Sequence, residues 1–413
     1  MIRALKYIAK SNIALGDEAA AEAAVKKLLS DFSTDKSLPA AVLGIAATYR
    51  KSARYQKAIE LYQYILEQWP DDEVSIHAQK GIVNSNIALG DEAAAEAAVN
   101  KLLTNFNDNP LIARAVWDTG QYYRESKKYE KANEFDRYVI DHWPKSEYVM
   151  WAKMDMAKTD IGLGNDAAVE KTIDILIADF NDHPELPTAI FILGEEYYNK
   201  AFNTKGDTNS PDARPEEYYR KALAIWERII QKLPPSPTTP QAYWCSAVVY
   251  SQELGEYQKG IEYYQNVVDT WPDYEYAWHA QFFIGMYYEK LRDSGGIPES
   301  EVNPKIEQAY KAVVEKYPDS NSSPYAALKL GQLNFNRGQW ADAAKYFELF
   351  MEKAPEGQRR GDVLYDLGRA YEKMGELDLA AEVYRTFIQM ADPTDARIKT
   401  VKAGLEKLEG ATK

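Results

Sequence analysis

The chain has 413 residues and a formal net charge of −14, a length that exceeds the usual size of one globular core. Nucleic-acid binding usually requires a clustered basic face, and because no Lys/Arg run exceeds a pair, we expect no nucleic-acid partner. No apolar run approaches the roughly 18 residues of a membrane span, and the lone Cys245 excludes an intrachain disulfide.

The N-terminal part of the chain contains a long internal repeat. Residues 11–29 recur as residues 85–103, shifted by 74, and only Lys26 and Asn100 differ. The same offset places Met1 on Ser75, inside the first helix of a block. The start also lacks the long apolar core of a secretory signal. We therefore expect the chain to be a fragment of a longer protein, whose missing N-terminus is where an export signal or anchor would lie.

Each 74-residue block divides into two halves of about 37 residues, and each half is typical of two helices. In the second half-block, apolar residues recur at three- and four-residue steps on two successive stripes, the pattern of two amphipathic helices. Trp69-Pro70 ends this unit, because proline cannot donate a backbone hydrogen bond inside a helix. A fixed period of this kind is typical of arrays in which each unit packs against its neighbours.

The period predicts ten helical hairpins and a C-terminal capping helix. The hairpins lie near 1–33, 38–70, 75–107, 111–144, 148–181, 187–233, 240–272, 277–318, 324–355 and 361–392, and the cap near 394–409. Segments 203–215 and 292–304 are rich in Gly, Pro, Ser and acids, which predicts loops inside two hairpins. The stiff connector 234–237 marks a predicted boundary between an N-terminal array, 1–233, and a C-terminal array, 240–392.

The spacing within the units resembles the tetratricopeptide repeat, W-x2-L-G-x2-Y, then A-x3-F, then P. Residues 367–371 (LGRAY) match its first half, followed by Ala380, Tyr384 and the Asp392-Pro393 stop. The resemblance implies an all-α fold, a right-handed superhelical α-solenoid of about ten hairpins. Unit endings such as Trp69-Pro70 are similar to those of bacterial envelope-type members of the family.

The sequence contains none of the catalytic motifs that we sought. The histidines lie in different hairpins, without an HExxH pair, and neither a GxxxxGK[ST] phosphate loop nor a GxSxG elbow is present. With a single cysteine, a thiolate zinc site is excluded. We therefore expect no enzyme activity, no cofactor and no metal site.

In the tetratricopeptide family, ligands commonly lie on residues two, five, nine and twelve of each unit, on the concave wall lined by the first helices. By that resemblance the predicted partner-binding residues are Arg114, Trp117, Gln121, Arg124, Trp151, Lys158, Phe191, Tyr198, Phe282, Tyr325 and Tyr365. This mixture of aromatic anchors and scattered charges is typical of a surface for an extended or helical protein segment. For each residue, packing between repeats is the alternative to ligand contact.

These patterns favour a non-catalytic scaffold that binds a protein or peptide segment in the groove, as part of a larger protein or assembly. Three alternatives stay open: an envelope assembly or secretion factor of the tetratricopeptide lipoprotein type, the sensor or docking part of a larger enzyme or transcription regulator, and a carbohydrate-binding array. The predicted location is the bacterial periplasm or cell envelope if an export signal precedes Met1, and the cytoplasm otherwise. The oligomeric state is left open.

Overall fold

The structure is a computed structural model that describes residues 1–205, 214–354 and 359–411. These residues form twenty-one α-helices and contain no β-strand. The chain divides into two compact units, Met1–Leu193 and Gly194–Lys413. We describe each unit by itself and call them unit 1 and unit 2.

Unit 1 consists of five helical hairpins and the beginning of a sixth. Its helices are α1 (Ile2–Leu15), α2 (Glu18–Asp31), α3 (Leu38–Lys51), α4 (Tyr55–Gln68), α5 (Val74–Leu89), α6 (Glu92–Asn105), α7 (Ile112–Glu125), α8 (Tyr129–His142), α9 (Tyr148–Leu163), α10 (Asp166–Phe180) and the first residues of α11 (Leu186–Lys205). Odd-numbered helices are the first helices of their hairpins, and even-numbered helices are the second helices.

Unit 2 continues the alternation and ends with a single helix. After the rest of α11 come α12 (Pro215–Lys232), α13 (Thr239–Val248), α14 (Tyr257–Thr270), α15 (Ala277–Asp293), α16 (Glu299–Lys316), α17 (Ser323–Asn336), α18 (Trp340–Lys353), α19 (Arg360–Met374), α20 (Leu377–Met390) and α21 (Arg397–Ala411). A π-helical turn, Val249–Glu253, follows α13 directly.

The all-α solenoid fold predicted from the sequence is confirmed, with a helix pair in each predicted hairpin. The prediction of a loop over residues 292–304 is partly wrong. Within 292–304, helix α16 already begins at Glu299 and contains Pro304. Val302 and Ile306 explain the early start, because both are buried in the core of this hairpin. The other predicted loop, 203–215, lies largely outside the described residues.

The turns inside the odd-numbered hairpins follow from two adjacent residues of the repeat. Gly16 and Gly90 end α1 and α5 in the left-handed region, with φ of 83° and 74°, which glycine adopts without strain. Asp17 and Asp91 follow at once, and each accepts a hydrogen bond of 3.0 Å from the backbone N–H three residues on. Each turn thus ends one helix and caps the next.

The second and third hairpins are joined by the packing of an aromatic ring on a glycine. Tyr62 of α4 lies against Gly81 of α5, where a Cβ would come within 2.4 Å of the ring. Tyr62 is 2% exposed, and Ala58 beside it is fully buried. The repeat therefore brings its helices close by pairing a large side chain with the absence of one.

In unit 1 the first helices form a layer of their own. Helix α1 packs on α3, α3 on α5, α5 on α7, and α7 on α9, whereas second helices pack chiefly on first helices. The first helices of this unit therefore lie side by side. We call their solvent-facing side the first-helix face. None of the described helices has the length and apolar character needed to span a membrane.

Candidate functional site

Six of the predicted site residues lie on α7 and α9, adjacent first helices of unit 1. Arg114 is exposed, and Trp117, Gln121 and Arg124 are half-buried along the same helix. On α9, Trp151 and Lys158 are half-buried. The structure therefore brings together the six residues that the sequence predicted for this part of the chain.

Three of these residues are held by contacts between helices. The Trp117 Nε1–H donates to Asp155 Oδ2 at 2.9 Å, and the Gln121 amide donates to the same oxygen. The Trp117 ring also packs on Tyr148, with 5.4 Å between the ring centroids. Trp117 and Gln121 consequently join α7 to α9, whatever else they contact.

Arg124 connects three helices. Its guanidinium donates to the Asp136 carboxylate on α8 and to the Thr159 hydroxyl on α9. The Asp136 side chain is fully buried and that of Arg124 is 10% exposed. Because both side chains are buried, this contact is sensitive to the removal of either partner.

The two buried carboxyl groups of this joint have displaced pKa values. Burial raises the pKa of Asp136 to about 8, although the Arg124 guanidinium opposes the rise. Burial likewise raises the pKa of Asp155, against the charge of Arg124 and the hydrogen bond from Trp117. We call Trp117, Gln121, Arg124, Asp136 and Asp155 the polar joint.

The polar joint occupies the same place in the repeat as an apolar joint one block earlier. The 74-residue offset maps Tyr62 onto Asp136, and Gly81 onto Asp155. Arg124 corresponds to Arg50, whose side chain approaches the Tyr62 hydroxyl. The sequence thus contained the signal for this joint, as a carboxyl pair in place of the aromatic–glycine pair.

The remaining predicted residues lie on α11 and on first helices of unit 2, and most of them are in ring contacts within their own hairpins. Tyr198 packs on Tyr219 at 5.5 Å, Phe282 on Tyr310 at 5.4 Å, and Tyr365 on Phe387 at 5.9 Å, measured between ring centroids. Phe191 is 3% exposed, so a ligand would reach little of its ring. Tyr325 is 55% exposed. Their role in ligand contact stays a prediction.

A row of aromatic rings lies around Trp244 of α13. The Trp244 ring is 5.2 Å from Tyr276 and 5.5 Å from His279, and His279 is 4.2 Å from Phe283. Burial lowers the pKa of His279, which favours its neutral form within this row. The rings therefore pack chiefly on one another.

The structure also shows a basic surface that the sequence reasoning missed. Helix α1 presents Arg3, Lys6 and Lys10 at three- and four-residue spacing, so they share one side of the helix. The Lys6 side chain lies across Gly44 of α3, where a Cβ would come within 2.7 Å of Lys6 Cε. The spacing is visible in the sequence, but Arg3, Lys6 and Lys10 are separated by other residues and therefore do not form a continuous Lys/Arg run.

Among the described residues, no group of three or more His, Cys, Asp or Glu side chains is arranged to hold a metal ion. The half-buried Cys245 is a free thiol, and its partial burial raises its pKa to about 12.

Two family models match the sequence, and both describe a tetratricopeptide repeat. One matches residues 82–147 and 328–396, and the other matches residues 40–72. A search of curated proteins finds no match to the chain.

Solved structures with similarity to the chain include repeat proteins of the same kind. A tetratricopeptide repeat protein from Parabacteroides merdae is 16% identical, with 69% of this chain and 98% of that chain covered and a TM-score of 0.33. PilW, described as a widely conserved type IV pilus biogenesis factor, is 18% identical over 62% of this chain and 99% of its own, with a TM-score of 0.33. The C-terminal part of a repeat-containing protein from Cytophaga hutchinsonii is 14% identical over 69% and 98%, with a TM-score of 0.38.

Proposed function

Since the chain is a tetratricopeptide-repeat protein, with matches over 40–72, 82–147 and 328–396, we propose that it is a non-catalytic scaffold that binds a protein or peptide segment on its first-helix face. The repeats make it a protein-interaction scaffold in general terms. The finer proposal concerns where the segment lies and which residues contact it.

One observation carries the finer proposal. The polar joint fixes α7 against α8 and α9 through buried hydrogen bonds, while Arg114 and Trp151 beside it keep solvent-accessible surface. A rigid support with an exposed cation and a half-buried aromatic ring is the arrangement from which interface hot spots are built. Trp117 itself is assigned to the support, because its indole N–H is already bound to Asp155.

The carbohydrate alternative is less well supported than the peptide scaffold. Sugar binding by aromatic residues requires open ring faces, and the rings around Trp244 are stacked on one another. Polysaccharides can be titrated into the protein while its tryptophan fluorescence is measured. Saturable quenching would support carbohydrate binding.

The experiment is affinity capture with the full chain as bait, followed by exchange of the face residues. We expect Trp151→Ala and Arg114→Ala each to reduce capture of a specifically retained protein about tenfold, because each removes about 1–2 kcal/mol of a typical hot-spot contact. Lys26→Ala, on the exposed surface of the second helix α2, is the matched control and should retain the protein.

The thermal stability of each variant is measured by circular dichroism. This control is needed because a variant that loses capture by unfolding does not test the first-helix face. Unchanged capture by both variants, with unchanged melting, would remove the first-helix face of α7 and α9 as the binding surface.

A further inference from the structure

Charge is segregated between the two sides of the first three hairpins of unit 1. The first helices α1, α3 and α5 contain no Asp or Glu at all. The second helices α2, α4 and α6 do contain acids, namely Glu18, Glu22, Asp31, Glu60, Glu67, Glu92 and Glu96. In a chain of net charge −14, the first-helix face of these hairpins is a local positive surface.

The cations of this surface are not neutralised by neighbouring carboxylates. Within the described part of the chain, Arg3, Lys6, Lys10 and Arg50 have no ion pair, and Arg50 instead lies over the Tyr122 ring at 5.5 Å. Lys80 is the exception, because it pairs with Asp118.

The cations near the second helices behave differently. Arg54 pairs with Glu18 at 3.3 Å, and Lys57 with Glu22 at 2.6 Å. Lys128 pairs with Glu92 at 2.7 Å, which is the counterpart of the Arg54 pair one block later. The absence of acids on α1, α3 and α5 thus leaves positive charge unbalanced on one side only.

We propose that the first-helix face of α1, α3, α5 and α7 binds an acidic protein segment, rich in Asp and Glu. The inference rests on the proposed scaffold function and names the chemistry of its ligand. Carboxylates of the segment pair with Arg3, Lys6, Lys10 and Arg114. A long polyanion such as RNA extends beyond this face toward the acidic second helices, where it is repelled, so a short acidic segment fits better.

The test measures binding of a fluorescein-labelled, Glu-rich peptide to the full chain by fluorescence anisotropy. The Gln-rich peptide of equal length is the neutral control, and both are measured at low and at high salt. We expect the Glu-rich peptide alone to bind, and its affinity to fall at least tenfold with added salt, because the contacts are between exposed charges.

A pair of matched triple variants locates the site. Lys6→Glu, Lys10→Glu and Arg114→Glu together should weaken peptide binding more than tenfold. The control triple Lys26→Glu, Lys27→Glu and Lys101→Glu changes the net charge by the same amount on exposed second-helix positions, and it should weaken binding less than threefold.

Equal weakening by both triples would overturn the inference, because only net charge would then matter. Tighter binding of a single-stranded RNA of equal charge at the same face would overturn it in favour of a nucleic acid. If Trp151→Ala abolishes capture of a protein partner while the basic triple leaves it unchanged, the scaffold function stands and the acidic ligand fails. If both leave capture unchanged, the scaffold function on this face fails as well.

Discussion

Single residues decide whether a joint between hairpins is apolar or polar. Tyr62 on Gly81 and Asp136 beside Asp155 occupy equivalent places, yet the first joint buries a ring and the second buries two carboxyl groups. Each joint keeps an arginine at the same position of the repeat, Arg50 in the first joint and Arg124 in the second. The exchange replaces dispersion contacts by hydrogen bonds, which link Trp117 and Gln121 to the support.

The buried carboxyl of Asp136 predicts a pH dependence of stability. Its folded-state pKa of about 8 lies above the ordinary value near 3.9, so between these values the folded state holds a proton that the unfolded state has released. Stability from this group is therefore lost as pH rises through that window. Asp136→Asn cannot titrate, and the free energy of unfolding of the wild type relative to this variant should fall by about 1 kcal/mol or more from pH 5 to pH 7.

Urea unfolding at pH 5, 6 and 7 checks this prediction. The control is Asp141→Asn, an exposed position on the same helix α8, which should track the wild type at every pH. A constant difference between wild type and Asp136→Asn across the series would show that Asp136 is ionised throughout.

At the scale of the helices, the hairpins could be predicted because the 74-residue period repeats the same turn chemistry. Glycines in the left-handed region and their capping aspartates follow directly from two residues of the repeat. The start of α16 could not be predicted from the sequence, because the composition of 292–304 is typical of a loop. Only the burial of Val302 in the structure shows that the helix already includes this residue. The π-helical turn Val249–Glu253 was missed because one extra residue in a helix leaves no compositional mark.

The candidate site could be predicted only in part. The family pattern placed Arg114, Trp117 and Trp151 on first helices, as the structure has them. It gave no indication that Trp117 bonds to Asp155, because that contact depends on how closely α7 approaches α9. Contacts between repeats are set by packing distances, which a one-dimensional pattern does not contain.

The close approach of helices predicts opposite effects of two glycine substitutions. At Gly331 of α17 a Cβ would come within 2.5 Å of the Phe347 ring, which is fully buried and has no room to move. Gly331→Ala should therefore lower the free energy of unfolding by about 1–3 kcal/mol. At Gly162 of α9 a Cβ meets nothing within 4 Å, so Gly162→Ala should raise it by about 0.5–1 kcal/mol through helix propensity. Chemical denaturation of both variants tests the pair, and destabilisation by both would contradict the packing argument.

At the scale of the whole molecule, each hairpin derives its stability chiefly from its neighbours. The core of the last hairpins contains Val401 and Leu408 of α21 together with Phe387 of α20, and Arg397 pairs with Asp362 at 2.8 Å. A stack of this kind has stability that is roughly a sum of units and of nearest-neighbour interfaces. Damage at one end should therefore stay near that end.

Removal of α21, residues 397–413, tests this locality. The deletion exposes the apolar side of α20, so amide hydrogen exchange should accelerate at least tenfold in α19 and α20. Exchange in α1 to α8 should match the full chain, because these helices pack on their own neighbours in unit 1. Mass spectrometry of exchanged peptides resolves the two regions in one experiment, with α1 to α8 as the internal control. Equal acceleration in both regions would mean that the chain unfolds as one cooperative body, and the nearest-neighbour description would then have to be abandoned.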